Sequence, residues 1–150
     1  MASALVTAVL GTWHTAYGPR LLLPTETTSF IPAQTIEEAH YLAAVLNAPP
    51  VRAYVLSFSS PGRGIGAPSI MQQLALPAYD SANPVHAALS DAGARAADLA
   101  ASQAGAAQAE LAEIERELTR LVAGLFSIPA KDLRAMLRIA LPAGPLGLHD

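Results

Sequence analysis

The sequence predicts an α+β protein (mixed α/β): a small N-terminal sheet with two packed helices, then a long helix with a bend or break, and a short C-terminal helix. Three observations predict this class. Short apolar or β-branched runs punctuated by glycine and proline occupy residues 3–31, apolar spacing becomes helical from residue 36, and little breaks a helix between Pro84 and Gly124.

Each element has a local reason. The runs at 3–10 (SALVTAVL), 20–24 (RLLLP) and 27–31 (TTSFI) are expected strands, with turns at Gly11, Gly18, Pro19 and Pro24. Thr35 followed by Glu38 makes a capping box, and Ala39, Leu42, Ala43 and Leu46 recur at helical spacing, so a helix is expected over 36–47, closing near Asn47. Pro49 and Pro50 open a second helix to about Phe58, with Val51, Tyr54, Val55 and Phe58 on one face. A glycine-rich loop follows, and QLALP at 73–77 reads as one more strand returning to the sheet.

Asn83 and Pro84 form an N-cap and first-turn pair for the long helix, which if continuous would extend roughly 60 Å. Leu111, Ile114, Leu118, Leu121 and Leu125 step by 3 and 4, the spacing of a helix packed along another helix, so 111–125 is a candidate helix–helix association surface. The N-terminal half is mostly alanine and contains Gly93 and Gly105, so a bend or break is expected near 102–106. Ile128 and Pro129 introduce a last helix over about 130–140. The elements divide into a recognition-like α/β domain, 1–82, and a helical segment, 83–150.

The 150 residues are 52% hydrophobic and 14% charged, which suits a globular fold. About a fifth of the chain is alanine, which buries little area per residue, so a partner covering apolar surface is a reasonable expectation. Cysteine is absent, which removes disulfides and thiolate chemistry. The opening MASALVTAVLG is apolar but lacks a positive leader and is too short to span a bilayer; it reads as an internal strand exposed by truncation, and the protein reads as cytoplasmic with no membrane partner. Net charge is −3 with nine basic residues, where a stand-alone nucleic-acid binder normally carries a basic excess. Any DNA contact is therefore expected to draw on a partner surface.

The segment SFSSPGRGIGAPSI at 57–70 superficially resembles a phosphate loop. Its glycines at 62, 64 and 66 miss the dinucleotide-binding spacing, and no phosphate-loop lysine follows. Two readings stay open: a mobile connection, or a contact loop in which glycine amides approach a phosphate, Arg63 supplies a charged fork, and Ser59, Ser60 and Ser69 donate hydrogen bonds. Trp13, His14 and Tyr17, expected in a turn with Arg20 beyond, either close the sheet core or stack on bases. His14, His40, His86 and His149 have no paired spacing for a metal. Lys131 stands alone in the last helix, with no carboxylate cluster of a nuclease around it, and no hydrolytic triad suggests itself. Asn47-Ala48-Pro49-Pro50-Val51 and Asn83-Pro84-Val85-His86 both lack the full Asn/Asp-Pro-Pro-aromatic run of amino-methylating enzymes and read as helix punctuation.

The stretch FIPAQTIEEAHYLAAVLNAPPVRAYVLSFSSPGRGIGAPSIMQQLALPAYD, with NPVHAALSDAGARAADLA and ELAEIERELTRLVAGLFSIPAKDL after it, resembles the C-terminal target-recognition region of bacterial adenine-N6 DNA methyltransferases of type II restriction-modification systems, the TaqI-like specificity domains among them. The likeness covers roughly residues 28–138. It implies a DNA target-recognition (specificity) function, non-catalytic by itself, with double-stranded DNA and a catalytic methyltransferase domain or subunit as partners. No cofactor is expected in this chain; S-adenosylmethionine would be held by the catalytic partner or domain. The residues that the resemblance would place facing DNA are Arg52, Gly62, Arg63 and Gly64; Ser60 and Ser69, read as hydrogen-bond donors, complete the candidate DNA-binding set. The alternative is a helical protein–protein interaction module that touches no DNA.

Overall fold

A computed structural model describes residues 6–21, 29–58, 73–102 and 107–140. Two short strands, β1 (Thr12–Thr15) and β2 (Gly18–Leu21), precede five helices: α1 (Ile36–Asn47), α2 (Pro49–Ser57), α3 (Pro84–Ser102), α4 (Ala107–Leu125) and α5 (Ala130–Ala140). The α+β class and the order of sheet, helix pair, interrupted long helix and short last helix are those the sequence predicts.

The sheet is an antiparallel hairpin in which Thr12 faces Leu21 and Thr15 faces Gly18. Thr15 Oγ1 accepts from Tyr17 N–H at 3.2 Å and donates to Gly18 O at 2.8 Å, and Gly18 sits at φ 95, where a Cβ would be strained. Of the expected strands, the run at 20–24 overlaps β2 at Arg20 and Leu21, with 22–24 outside the described residues. Residues 6–10, 29–31 and 74–77 are irregular, and Trp13 and His14 belong to β1, leaving Tyr17 in the turn. Residues 74–77 make a tight turn, Leu76 N–H to Leu74 O at 2.7 Å, instead of pairing with the hairpin. Leu74 and Leu76 pack against the core, and Pro77 O accepts the Tyr41 hydroxyl at 3.0 Å.

The helix boundaries follow their caps. Thr35 Oγ1 accepts from Glu38 N–H at 3.1 Å, while Glu38 Oε2 accepts from Gln34 N–H at 2.6 Å, one residue before the position of an ideal capping box. Backbone hydrogen bonding near Glu37, then the Thr35 hydroxyl, hold the Glu37 carboxyl below its usual range. Asn47 closes α1 and clamps the N-terminal segment: its side chain accepts from Thr7 N–H at 2.9 Å and donates to Thr7 O at 2.7 Å. Asn83 Oδ1 accepts from Val85 N–H at 2.9 Å and Pro84 fills the first position of α3. At the end of α4, Ile128 N–H reaches Ala123 O and Ser127 N–H reaches Gly124 O, a Schellman closure with Ser127 at φ 50.

One core unites the helices. Tyr41, Val45 and Leu46 from α1, Val51 and Val55 from α2, Leu89 and Ala92 from α3, and Ile114, Leu118 and Val122 from α4 form a single buried cluster. Residues on both sides of the boundary expected between 82 and 83 contribute to this cluster. The alanine-rich half of α3 serves close approach. A Cβ at Gly93 would run into the His40 carbonyl and sit 3.2 Å from Ala44 Cβ, so glycine sets the α1–α3 spacing.

The break in the long helix lies within the expected span, between Ser102 and Ala107, with 103–106 outside the described residues. The Arg95–Glu117 pair at 2.6 Å shows that α3 and α4 fold back on one another as an antiparallel hairpin. The 111–125 seam thus meets helices of its own chain: Ile114 and Leu118 are buried, and Val122, one position off the expected spacing, is fully buried because several helices surround α4.

Candidate nucleic-acid interface

Of the six candidate DNA-binding residues, Ser60, Gly62, Arg63, Gly64 and Ser69 lie outside the described residues. Arg52 is described. It projects from α2 toward α4, where Nη1 lies 3.3 Å from Glu115 Oε1, and its side chain is 11% exposed. Its Nε has no hydrogen-bond partner among the described residues. A cation held this way joins two helices. Presenting it to a phosphate would require breaking the Glu115 pair.

His149 lies outside the described residues, and no group of three metal-ligating side chains occurs among those described. His86 is buried for a structural reason. Its Nδ1 accepts from Asp80 N–H at 3.1 Å, and its ring lies 4.8 Å from Tyr41 and 6.3 Å from Tyr79 between centroids. The Asn-Pro-Val-His step therefore caps and opens α3, then anchors the preceding loop one turn later. Asn47-Ala48-Pro49-Pro50 likewise joins α1 to α2, in keeping with its reading as punctuation.

The exposed cations lie elsewhere. On α4, Arg116 lies 2.5 Å from Glu113 and Arg120 is exposed with no ion pair among the described residues; between α3 and α4, Arg95 meets Glu117. On α5, Lys131, Arg134 and Arg138 are all exposed, and none has a carboxylate within ion-pair distance among the described residues. At about 100° per residue they fall within an arc of roughly 60° on the helix surface. Leu133, Met136 and Leu137 occupy the opposite side and are half-buried, with α5 packed mainly against α2. The signal for this stripe was in the sequence: spacings of 3 and 4 around an amphipathic helix. Taken singly, Lys131 looks isolated; taken with Arg134 and Arg138, it belongs to a cationic face.

The hairpin contributes a second exposed surface. His14 and Arg20 are exposed, and Tyr17 is 87% exposed at the turn. Trp13 pairs with Arg20 in the backbone register. Among the described residues, no helix is long and apolar enough to cross a membrane. No family model, curated protein or solved structure matches the chain.

Proposed function

We propose that the chain is the DNA target-recognition portion of an adenine-N6 methylation or restriction-modification system, acting in the cytoplasm beside a catalytic domain or subunit that holds S-adenosylmethionine. The observation that supports this reading is the sorting of charge. Arg52, Arg95 and Arg116 pair with glutamates, whereas Lys131, Arg134 and Arg138, like Arg120 on α4, have no ion-pair partner among the described residues, and those on α5 are gathered on one face. A chain of net charge −3 can still offer a polyanion one favourable face when its acidic groups are spent internally or lie elsewhere. The glycine–arginine segment, with Arg63 at its centre, is the proposed base-reading element, because an arginine bidentate on guanine discriminates by about 1 to 3 kcal/mol.

The test is competition between a cognate and a scrambled duplex for the chain together with its catalytic partner. Replacing Arg63 by alanine is expected to erase the preference while leaving overall retention; an unaltered preference would refute its reading role.

A second reading, an interaction module without DNA contact, draws on a different observation. Val6, Leu10, Phe30, Ile31 and Ile36 are large apolar side chains at least 47% exposed. The 111–125 seam no longer argues for that reading, since its buried positions are occupied within the chain. Sedimentation separates the two: concentration-dependent association with no duplex retained at low salt favours the module.

A further inference from the structure

We infer that the exposed face of α5 is a phosphate-backbone contact that sets the register of the chain on duplex DNA without reading bases. The inference rests on the proposed function and assigns to one helix a role that the glycine–arginine segment does not fill. Lys131, Arg134 and Arg138 span seven residues, about 10 Å of helix. Both strands of B-DNA together carry one charge per about 1.7 Å of axis, so a cationic face of this length has several phosphates within reach.

The helix is anchored for such a task. Its apolar side, through Leu133, Met136 and Leu137, is turned into the body against α2, which fixes the orientation of the cationic side. Ala135 lies exposed beside the stripe and adds no bulk between the helix and a phosphate ridge. Asp132 is exposed on the flank, about 100° from Lys131, where it complements the helix N-terminus. Three separate cations on long stems suit point contacts with phosphates; base reading instead uses side chains directed into a groove. An anionic membrane would also attract this face, but interfacial helices insert a broad apolar side, and on α5 only Ile139 among the large apolar side chains is exposed, at 50%.

The experiment is fluorescence anisotropy of the full chain, with its catalytic partner, on a labelled mixed-sequence duplex between about 50 and 200 mM salt. Each phosphate contact adds about 0.9 to the slope of log affinity against log salt, so K131Q/R134Q/R138Q is expected to flatten the slope by about 2 to 3. The preference for cognate over scrambled duplex should persist. Arg116→Gln, which removes an exposed cation already paired to Glu113, is the charge control and should leave the slope within about 1 of the parent. A triple variant with the parent slope, or one whose site preference collapses, overturns the inference and leaves the proposed function standing. A parent chain that retains no duplex at low salt removes both. Phosphatidylserine vesicles form the last arm: binding to them through the stripe, with none to DNA, also overturns the inference in favour of a lipid surface.

Discussion

The α3–α4 hairpin and α5 are both surface-forming and amphipathic, yet they handle charge in opposite ways. Along the hairpin, two of the three arginines meet glutamates, at Arg95–Glu117 and Arg116–Glu113, and Arg120 stands exposed without an ion pair among the described residues. Along α5, three cations share one face with no carboxylate opposite them. The difference teaches that net charge alone is a poor guide to a polyanion surface: the distribution of unpaired charge decides it. It also predicts a division of consequences, with substitutions in the body costing stability and substitutions on α5 costing binding.

The sharpest test of that division is Leu89→Ala in α3. Leu89 is fully buried, and its truncation should destabilise by about 2 to 5 kcal/mol in urea unfolding, with no specific effect on salt dependence once folded protein is selected. Gly93→Ala comes next. The new methyl has to displace the His40 backbone, for an expected loss of about 1 to 3 kcal/mol, and a neutral result would mean that α1 and α3 sit farther apart.

Tyr41→Phe should cost about 1 kcal/mol at neutral pH through loss of the bond to Pro77 O. Burial raises the Tyr41 pKa, so the native state keeps a proton that the unfolded chain releases from about pH 10 upward. The stability linked to that proton is present below about pH 10 and fades as pH rises toward the raised value. The gap between parent and Tyr41→Phe should therefore narrow in alkaline urea titrations; a constant gap would contradict the assignment. The smallest effect belongs to α5. K131Q/R134Q/R138Q should shift unfolding free energy by no more than about 0.5 kcal/mol, as for ordinary surface positions. A large loss would mean that the stripe holds the fold together.

Helix starts were legible because each rests on local chemistry that the sequence displays: Thr35 on Glu38 N–H, Pro49 in the first turn of α2, Asn83 with Pro84 at α3. The break between α3 and α4 was legible from Gly105 within a stretch of small residues that offers little apolar packing. Strands were not. An apolar run such as QLALP looks the same whether it pairs in a sheet or turns across helices, and here Leu74 and Leu76 pack against the core without a ladder. The dominant burial of Tyr41, Val45 and Val122 also escaped, since a helix surrounded by several neighbours buries more than the single stripe that a pairwise spacing predicts.

For the candidate interface the sequence was informative where its residues were read together. Spacing alone finds the α5 face, whereas no spacing shows that Arg52 is committed to Glu115, because that pairing joins positions 63 residues apart.

Cross-linking from defined positions tests the central claim most directly. A photoreactive phenylalanine analogue placed at Ala135, beside the α5 stripe, or at the exposed Ala97 of α3 is irradiated on duplex DNA with the catalytic partner present. The account predicts adducts to DNA from position 135 and few from position 97. Equal yields from both, or none from position 135, would contradict it.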